Sequence, residues 1–252
     1  MNILCLLAAV VLSLMMVTSP QVLPVGTALP VMMSSGIEAS HAKVGQKIDG
    51  RLMQDVPISA GFTLKKGAHV IGKVIAVQRP RSITVQFTQL QDGHQTIPLN
   101  VSLRALAASA DVFQAAVPVG ASTSESSDEW VTQQVGGDFV FRGRGYVSSP
   151  QGKVGRWNGN GVWGRLDPGP DCTDADLSKD EQSLWVFSTS ACGTYGYEKK
   201  LTITHDGHTA PLGQITLDST AKNLEVRGGS GWMLLVNPAG KPAGKPDGNT
   251  TP

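Results

Sequence analysis

The sequence contains few charged residues and no cluster of basic ones. Its 252 residues include 21 lysines and arginines against 20 aspartates and glutamates, which gives a formal net charge of +1. A protein that binds nucleic acid needs a concentrated basic surface to neutralise phosphates. We therefore expect no nucleic-acid partner.

The sequence also lacks the short motifs that mark common catalytic sites. It has no phosphate-binding loop, dinucleotide fingerprint or metalloprotease helix, and residues 228–231 (Gly-Gly-Ser-Gly) lack the spacing of a Gly-x-Ser-x-Gly elbow. We expect a protein that is not an enzyme and needs no cofactor. An enzyme built from residues that are distant in sequence is the alternative.

The apolar run at the N-terminus is short for a membrane span. It covers residues 3–17 without a charged side chain, whereas a transmembrane helix needs about 20 residues. This length suits the core of a signal peptide, so residues 1–20 are predicted to be one, with a retained membrane anchor as the alternative. Export would place the protein in the periplasm or outside the cell. It would then touch a membrane only through an uncleaved leader.

Cysteine is scarce, with three in the chain. Removal of a leader containing Cys5 leaves Cys172 and Cys192, so a single intramolecular disulfide is predicted. A bond that closes a loop of this length stabilises a protein by about 3 kcal/mol in the chain-entropy model. Two separate free thiols are the alternative.

Glycine and strand-like alternation are abundant. The chain has 29 glycines, and Ile83, Val85 and Phe87 alternate with polar residues. A period of two is typical of half-buried strands, whereas long helical patterns do not occur. The sequence therefore predicts an all-β protein.

Composition divides the chain into segments. A small β-barrel domain is predicted over residues 22–107, and a second all-β domain, a sandwich or barrel with one disulfide, over residues 129–238. Residues 108–128 are small and polar, as in a flexible linker. Residues 239–252 contain Gly-Lys-Pro twice and are predicted to be a disordered tail.

Two Asp-Gly sequences predict β-hairpins. At the first, a three-residue loop over residues 91–93 pairs Leu90 with His94 and Phe87 with Ile97, with Gly93 left-handed in a bulge. At the second, a two-residue Asp206-Gly207 turn places His205 beside His208. We interpret these histidines as turn-flanking residues.

Two groups of residues are candidate metal ligands. Calcium is bound by several oxygen atoms, which an acidic loop can supply, and two neighbouring imidazoles make a weak transition-metal site. The alternatives are a solvated acidic loop fixed by Cys172 and a simple turn. The candidate ligands are Asp171, Asp174, Asp176, His205 and His208.

Two tryptophans among glycine and asparagine are a candidate glycan-binding site. Exposed indoles can stack on sugar rings, and the amide of an asparagine can hydrogen-bond hydroxyl groups. The candidate residues are Trp157, Asn158 and Trp163. Packing of one or both rings in the core is the alternative.

The first segment resembles a known family. Residues 23–31 (LPVGTALPV) are similar to the LPAGTxIPV opening of the β-barrel domain in type IV secretion and conjugation channel scaffold proteins. Residues 54–56 (QDV), 64–74 (LKKGAHVIGKV) and 87–94 (FTQLQDGH) follow in the same order, so the resemblance spans residues 23–105. It implies a small barrel and a place in the cell envelope. Residues 183–196 resemble uncharacterised secreted bacterial proteins.

These observations predict an exported, non-enzymatic protein of the cell envelope that acts as an assembly or protein-binding module. A glycan- or peptidoglycan-binding protein is the alternative. The expected partners are accordingly envelope proteins or cell-wall glycan.

Overall fold

The computed structural model describes residues 22–59, 61–117, 130–169, 172 and 177–238. The predicted signal peptide and the predicted disordered tail lie outside these residues. Most of the described residues that have regular structure lie in β-strands, and one α-helix accompanies them. The prediction of an all-β protein is confirmed.

The described residues up to position 117 form nine strands followed by the helix: β1 (Ala28–Met33), β2 (Ile37–Glu38), β3 (Lys47–Leu52), β4 (Val56–Ser59), β5 (Phe62–Leu64), β6 (His69–Gln78), β7 (Ser82–Asp92), β8 (Gln95–Pro98), β9 (Val101–Ala107) and α1 (Ser109–Ala116). The described residues after the helix form a further set of strands: β10 (Val131–Gln133), β11 (Phe139–Phe141), β12 (Tyr146–Ser149), β13 (Gly152–Trp157), β14 (Val162–Gly164), β15 (Gln182–Ser183), β16 (Gly193–Tyr195), β17 (Leu201–His205), β18 (Gln214–Ser219), β19 (Glu225–Val226) and β20 (Gly231–Val236).

The largest sheet curls into a nearly closed barrel. Its strands follow the order β16-β9-β20-β1-β3-β6-β7-β18-β17, and β8 pairs with β7 off this path. Neighbouring strands are antiparallel except β16 and β9, which are parallel. At the two ends of this order, the Thr194 hydroxyl of β16 donates a hydrogen bond of 3.0 Å to the Leu201 carbonyl of β17. This contact brings the ends of the sheet together.

Strands from both predicted domains share the barrel, so the boundary predicted between residues 107 and 129 does not divide the sheet. β20 pairs with β1, placing Leu234 opposite Leu29, and β18 pairs with β7, placing Ile215 opposite Val85. All four side chains are completely buried. Alternation identifies a strand but not its partner, which is why the sequence suggested two separate sheets.

Part of the predicted flexible linker is helical. Ser109–Ala116 forms α1, and the remaining linker residues 118–129 lie outside the described residues. Val112 and Ala115 are buried, three positions apart on one side of the helix. The small residues that suggested flexibility include alanine, which has the highest helix propensity. The amino-acid composition does not show that Val112 and Ala115 are buried, and this burial stabilises the helix.

The first hairpin has a different register from the predicted one. Asp92 lies opposite Gln95, and Leu90 faces Ile97 rather than His94. The turn is therefore formed by residues 93 and 94, with a φ of 58° at Gly93. A positive φ at the first turn position is typical of the type II′ turns that hairpins favour.

A β-bulge in β7 explains the wrong register. Gly72 of β6 lies opposite Phe87, whereas the residue before it, Ile71, lies opposite Gln89, so the register between β6 and β7 shifts by one residue at this point. The shift directs both Phe87 and Leu90 to the interior, where each is fully buried. A strict period of two places residues 87 and 90 on opposite faces, so it cannot predict this bulge.

The second hairpin prediction is also wrong. β17 pairs with β18 so that Ile203 faces Leu217 and His205 faces Thr216, and residues 206–213 form the connection. Ile215 and Leu217 are buried, whereas Leu212 is partly exposed. The buried strand thus begins after Leu212, and the predicted pairing of His205 with His208 does not form.

A second sheet, in the order β10-β11-β12-β13-β14-β15, covers one side of the barrel. Its buried valines, Val140, Val147 and Val162, share a hydrophobic core with Met233 and Leu235 on the outer face of β20. The other face of β20 carries Trp232 and Leu234 into the barrel interior. β20 is apolar along its length because both of its faces are buried.

Gln54 connects the barrel segment to the six-stranded sheet. Its amide nitrogen donates to the Val162 carbonyl at 2.9 Å, and its oxygen accepts from the amides of Val162 at 3.1 Å and Trp185 at 2.9 Å. The side chain is completely buried. A buried glutamine must be hydrogen-bonded to be stable, so these three bonds fix where the two regions meet.

Cys172 and Cys192 form a disulfide, as the sequence predicts, with 5.7 Å between their Cα atoms. The bond is consistent with an oxidising compartment outside the cytoplasm. Within the described ranges, no helix has both the length and the hydrophobicity to span a membrane.

Candidate functional site

The predicted glycan-binding tryptophans do not form a common platform. Trp157 lies opposite Val162, and Trp163 lies opposite Arg156. Arg156 and Trp157 are consecutive residues of β13, and consecutive residues of a strand point to opposite faces. Trp163 shares the face of Arg156, so the two indoles lie on opposite faces of the sheet. Trp163 is only 6% exposed, and its indole N–H donates to the side-chain oxygen of Asn158 at 3.3 Å.

The predicted metal ligands are only partly within the described residues. Asp171, Asp174 and Asp176 lie outside them. His205 and His208 line a cavity of about 320 Å³ beside the disulfide. Nδ1 of His205 hydrogen-bonds the Gln214 carbonyl at 2.7 Å. No group of three or more histidine, cysteine or acidic residues in the described part of the chain is placed to hold a metal.

A groove lies between α1 and the segment that follows β10. It is a cavity of about 500 Å³, and we call it the α1 groove. Ala115, Val117 and Val135 supply its apolar surface, and Gln133 and Tyr195 supply polar groups. The start of the helix is fixed beside it, because the amide of Ala108 donates to the Tyr195 carbonyl at 2.9 Å.

Large apolar side chains are exposed around this groove. Phe113 lines it with 70% of its surface exposed, and Val117 lines it with 44% exposed. Phe139, on β11, is also exposed and lies opposite the groove residue Gln133. Trp130, just before β10, is the fourth exposed side chain of this region. We call these four exposed side chains, which lie on α1 and at β10 and β11, the apolar patch.

Arg142 connects the elements that carry the apolar patch. Its guanidinium donates to the Ala116 carbonyl at the end of α1 at 3.1 Å and lies 5.6 Å from the centre of the Trp157 ring. Its backbone amide donates to the Trp130 carbonyl at 2.9 Å. Burial of the guanidinium lowers its pKa from the ordinary value. Arg142 thus joins the helix to β10 and β11 and positions the exposed side chains near one another.

The outer face of the six-stranded sheet carries a second surface. Phe141, Tyr146, Arg156 and Trp163 lie directly opposite one another on successive strands from β11 to β14. Residues paired in this way share one face. Lys153 belongs to the same face because it pairs with Ser148, two residues from Tyr146. We call these five residues the cation–aromatic row.

The residues of both surfaces were largely missed by sequence reasoning. Phe113 stands within a segment of small residues that suggested a linker. Phe139 and Phe141 alternate with Val140 as in a strand, and this alternation is the signal in the sequence that both side chains share one face. The alignment of Phe141 with Tyr146 depends on strand register, which composition does not reveal.

No protein-family model matches the chain, and no curated protein or solved structure shows significant similarity to it.

Proposed function

We propose that the protein is an exported, non-enzymatic module of the cell envelope and that it binds another protein through the α1 groove. The observation that carries the proposal is the exposure of Phe113 at the edge of an apolar cavity. A phenylalanine whose surface is 70% exposed to water stabilises the isolated protein little. It gains free energy when a partner covers it.

The shape and chemistry of the groove fit a polypeptide partner. Protein interfaces have an apolar centre rich in aromatic residues and a polar rim. Here Phe113 and Val117 supply the apolar part, and Gln133 and Asp111 supply polar groups at the lining. A side chain of the partner would enter the cavity, while Trp130 and Phe139 would cover the surface around it.

Three observations support the envelope as the location. Residues 3–17 are continuously uncharged and mostly apolar, as in the core of a signal peptide. The disulfide between Cys172 and Cys192 is typical of proteins outside the cytoplasm. The resemblance of residues 23–105 to the barrel domain of secretion-channel scaffolds supports a role in assembly.

Site-specific photo-cross-linking tests the proposal. A photoreactive phenylalanine analogue is placed at position 113 in native cells, and adducts are identified by mass spectrometry. Position 44 is the matched control, because Val44 is 69% exposed and lies on the barrel segment. We expect a discrete protein adduct from position 113 and none from position 44.

Binding of the purified partner then gives the quantitative test. Loss of a central aromatic side chain typically weakens an interface by 1–2 kcal/mol or more, so Phe113→Ser should weaken binding by about tenfold or more. Val44→Ser should leave the Kd unchanged within about twofold. The same adducts from positions 113 and 44, or equal affinities of the two variants, would contradict docking at the α1 groove.

A further inference from the structure

The cation–aromatic row has an ordered internal structure. The rings of Phe141 and Tyr146 stack with centres 4.7 Å apart and an angle of 20° between their planes. The ammonium group of Lys153 lies 5.4 Å from the centre of the Tyr146 ring. The guanidinium of Arg156 lies 5.1 Å from the centre of the Trp163 ring. The two cations of β13 therefore lie between the stacked pair of aromatic rings on β11 and β12 and the Trp163 ring on β14.

The cations at the β13–β14 side of the row line a polar cavity of about 510 Å³. Lys153, Arg156 and Arg165 contribute its positive groups, and Asp167 and Glu181 its negative ones. Charged side chains supply most of the lining of this cavity, whereas apolar side chains supply much of the lining of the α1 groove. The polar cavity also lies on the outer face of the sheet, where an extended ligand can approach.

Two of these cations form no ion pair with a carboxylate of the described residues. Glu181 accepts a hydrogen bond of 2.8 Å from Nε of Arg156 and occupies that guanidinium. No carboxylate in the described part of the chain lies within 4.0 Å of Lys153 or Arg165. The cavity therefore presents two cations whose charge is not compensated by an ion pair.

We propose that the cation–aromatic row, with Arg165, binds a carboxylate-bearing polysaccharide. The carboxylate of a uronic acid residue would lie between Lys153 and Arg165. Neighbouring sugar rings would contact the outer edges of Tyr146 and Phe141, because Phe141 and Lys153 already cover the faces of the Tyr146 ring. Charge complementarity is the basis for an acidic rather than a neutral glycan.

The modest charge of the surface favours a polyuronate over a nucleic acid. Nucleic acids carry a phosphate on every nucleotide and are bound by extended basic surfaces. This site offers two cations that form no ion pair within the described ranges, beside Asp167, and the net charge of the chain is +1. Such a site can hold single carboxylates at intervals along a chain.

The test compares polymers that differ only in their carboxylates. Binding of the full chain to polygalacturonate and to its fully methyl-esterified form is measured by isothermal titration calorimetry at low salt. Alginate is included as a polyuronate of different linkage, and oligothymidylate as a nucleic acid. We expect binding to at least one polyuronate, weaker binding as salt is raised, and little binding to the methyl ester.

Variants assign the binding to this surface. Because the variant removes two exposed ion pairs with the ligand, Lys153→Gln with Arg165→Gln should weaken polyuronate binding by about two- to thirtyfold. The control is Lys47→Gln with Arg51→Gln, which removes two cations of β3. It should leave binding unchanged, and both variants should keep the unfolding midpoint of the parent.

Several outcomes would overturn the proposal. These are no binding to either polyuronate, equal binding to the ester and the acid, tighter binding of oligothymidylate, or an unchanged affinity in the Lys153/Arg165 variant. Phe113→Ser separates this proposal from docking at the α1 groove, because it should leave polyuronate binding intact.

Discussion

The barrel and the six-stranded sheet differ in the length of their strands and in how much of each sheet is buried. β6 and β7 of the barrel run for 10 and 11 residues, whereas strands of the six-stranded sheet run for 2 to 6 residues. The barrel encloses a core of large apolar side chains. The six-stranded sheet buries one face against the barrel, and its other face carries exposed side chains such as Lys153 and Arg156.

This difference indicates that side chains of the barrel mainly pack the core, whereas the six-stranded sheet and the helix beside it carry exposed aromatic and charged side chains. Both faces of the barrel wall on β20 are buried, so its side chains serve packing. The exposed apolar patch and the cation–aromatic row both lie at the six-stranded sheet or the helix beside it. We therefore propose that the barrel serves as a scaffold and that the six-stranded sheet with the helix beside it carries the surfaces that bind partners.

The largest effect is expected from opening the barrel core. Trp232 is fully buried, packs edge-on against Phe87 at 5.7 Å, and donates its indole N–H to Ser230 at 3.0 Å. Trp232→Ala should lower the free energy of unfolding by about 3–5 kcal/mol. Trp130→Ala, which removes an exposed tryptophan, should cost less than about 1 kcal/mol. Denaturant titration measures both, and similar losses would contradict the division between scaffold and surface.

The disulfide is expected to have the next largest effect. Cys172 and Cys192 are separated by 20 positions, so the bond closes a short loop. Replacing both with serine should lower the free energy of unfolding by about 3 kcal/mol in the chain-entropy model. Reduction of the unchanged protein should give a loss of the same size. Equal stability of the oxidised and reduced proteins would show that the loop is held by other contacts.

Removing the connection through Gln54 should have an intermediate effect. Gln54→Leu leaves the backbone groups of Val162 and the amide of Trp185 without their partner, which should cost about 2 kcal/mol. Gln46→Leu is the matched control, because the Gln46 side chain accepts a hydrogen bond from Lys43 at an exposed position. That change should cost less than about 0.5 kcal/mol. Equal losses in urea titration would mean that Gln54 does not join the two regions.

The smallest effect is expected from Asp55, next to Gln54. A hydrogen bond from the Lys66 amide at 2.8 Å, and a smaller contribution from Lys65, hold its pKa below the ordinary value of 3.8, although burial acts against this. A lowered pKa in the folded state gives stability that is present above about pH 4 and is lost as pH falls through the folded-state pKa.

Asp55→Asn should therefore remove a small pH-dependent part of stability. The difference in unfolding free energy between the parent and the variant should be below about 1 kcal/mol at pH 6, since the carboxylate is partly exposed. It should shrink further between pH 4 and pH 3. A difference that grows as pH falls would have the wrong sign for a lowered pKa.

Much of the barrel could be predicted from sequence, because burial on one face imposes a period of two. Ile83, Val85 and Phe87 identify β7 in this way, although the bulge after Phe87 does not follow from any local rule. The disulfide could also be predicted, since two cysteines remain once the predicted leader is excluded. The pairing of Leu29 with Leu234 could not, because the two residues are separated by most of the chain.

The candidate surfaces were harder to predict for a related reason. Their residues come together through register and packing, as Tyr146 does with Phe141 and Arg156. The sequence alone indicated Trp163, which belongs to the row, and Trp157, which follows the row residue Arg156 but lies on the other face. Their opposite orientations follow from the strand pleat and the turn between β13 and β14.

The claim that both halves of the chain build one barrel is tested most directly by producing residues 22–117 alone. In the full chain, this fragment depends on β20 to cover β1 and β9 and on β18 to cover β7. We predict poorly dispersed amide resonances and no cooperative thermal transition for the fragment, and both properties restored in a chain covering residues 22–238. A fragment that shows dispersed resonances and a cooperative transition by itself would contradict the claim.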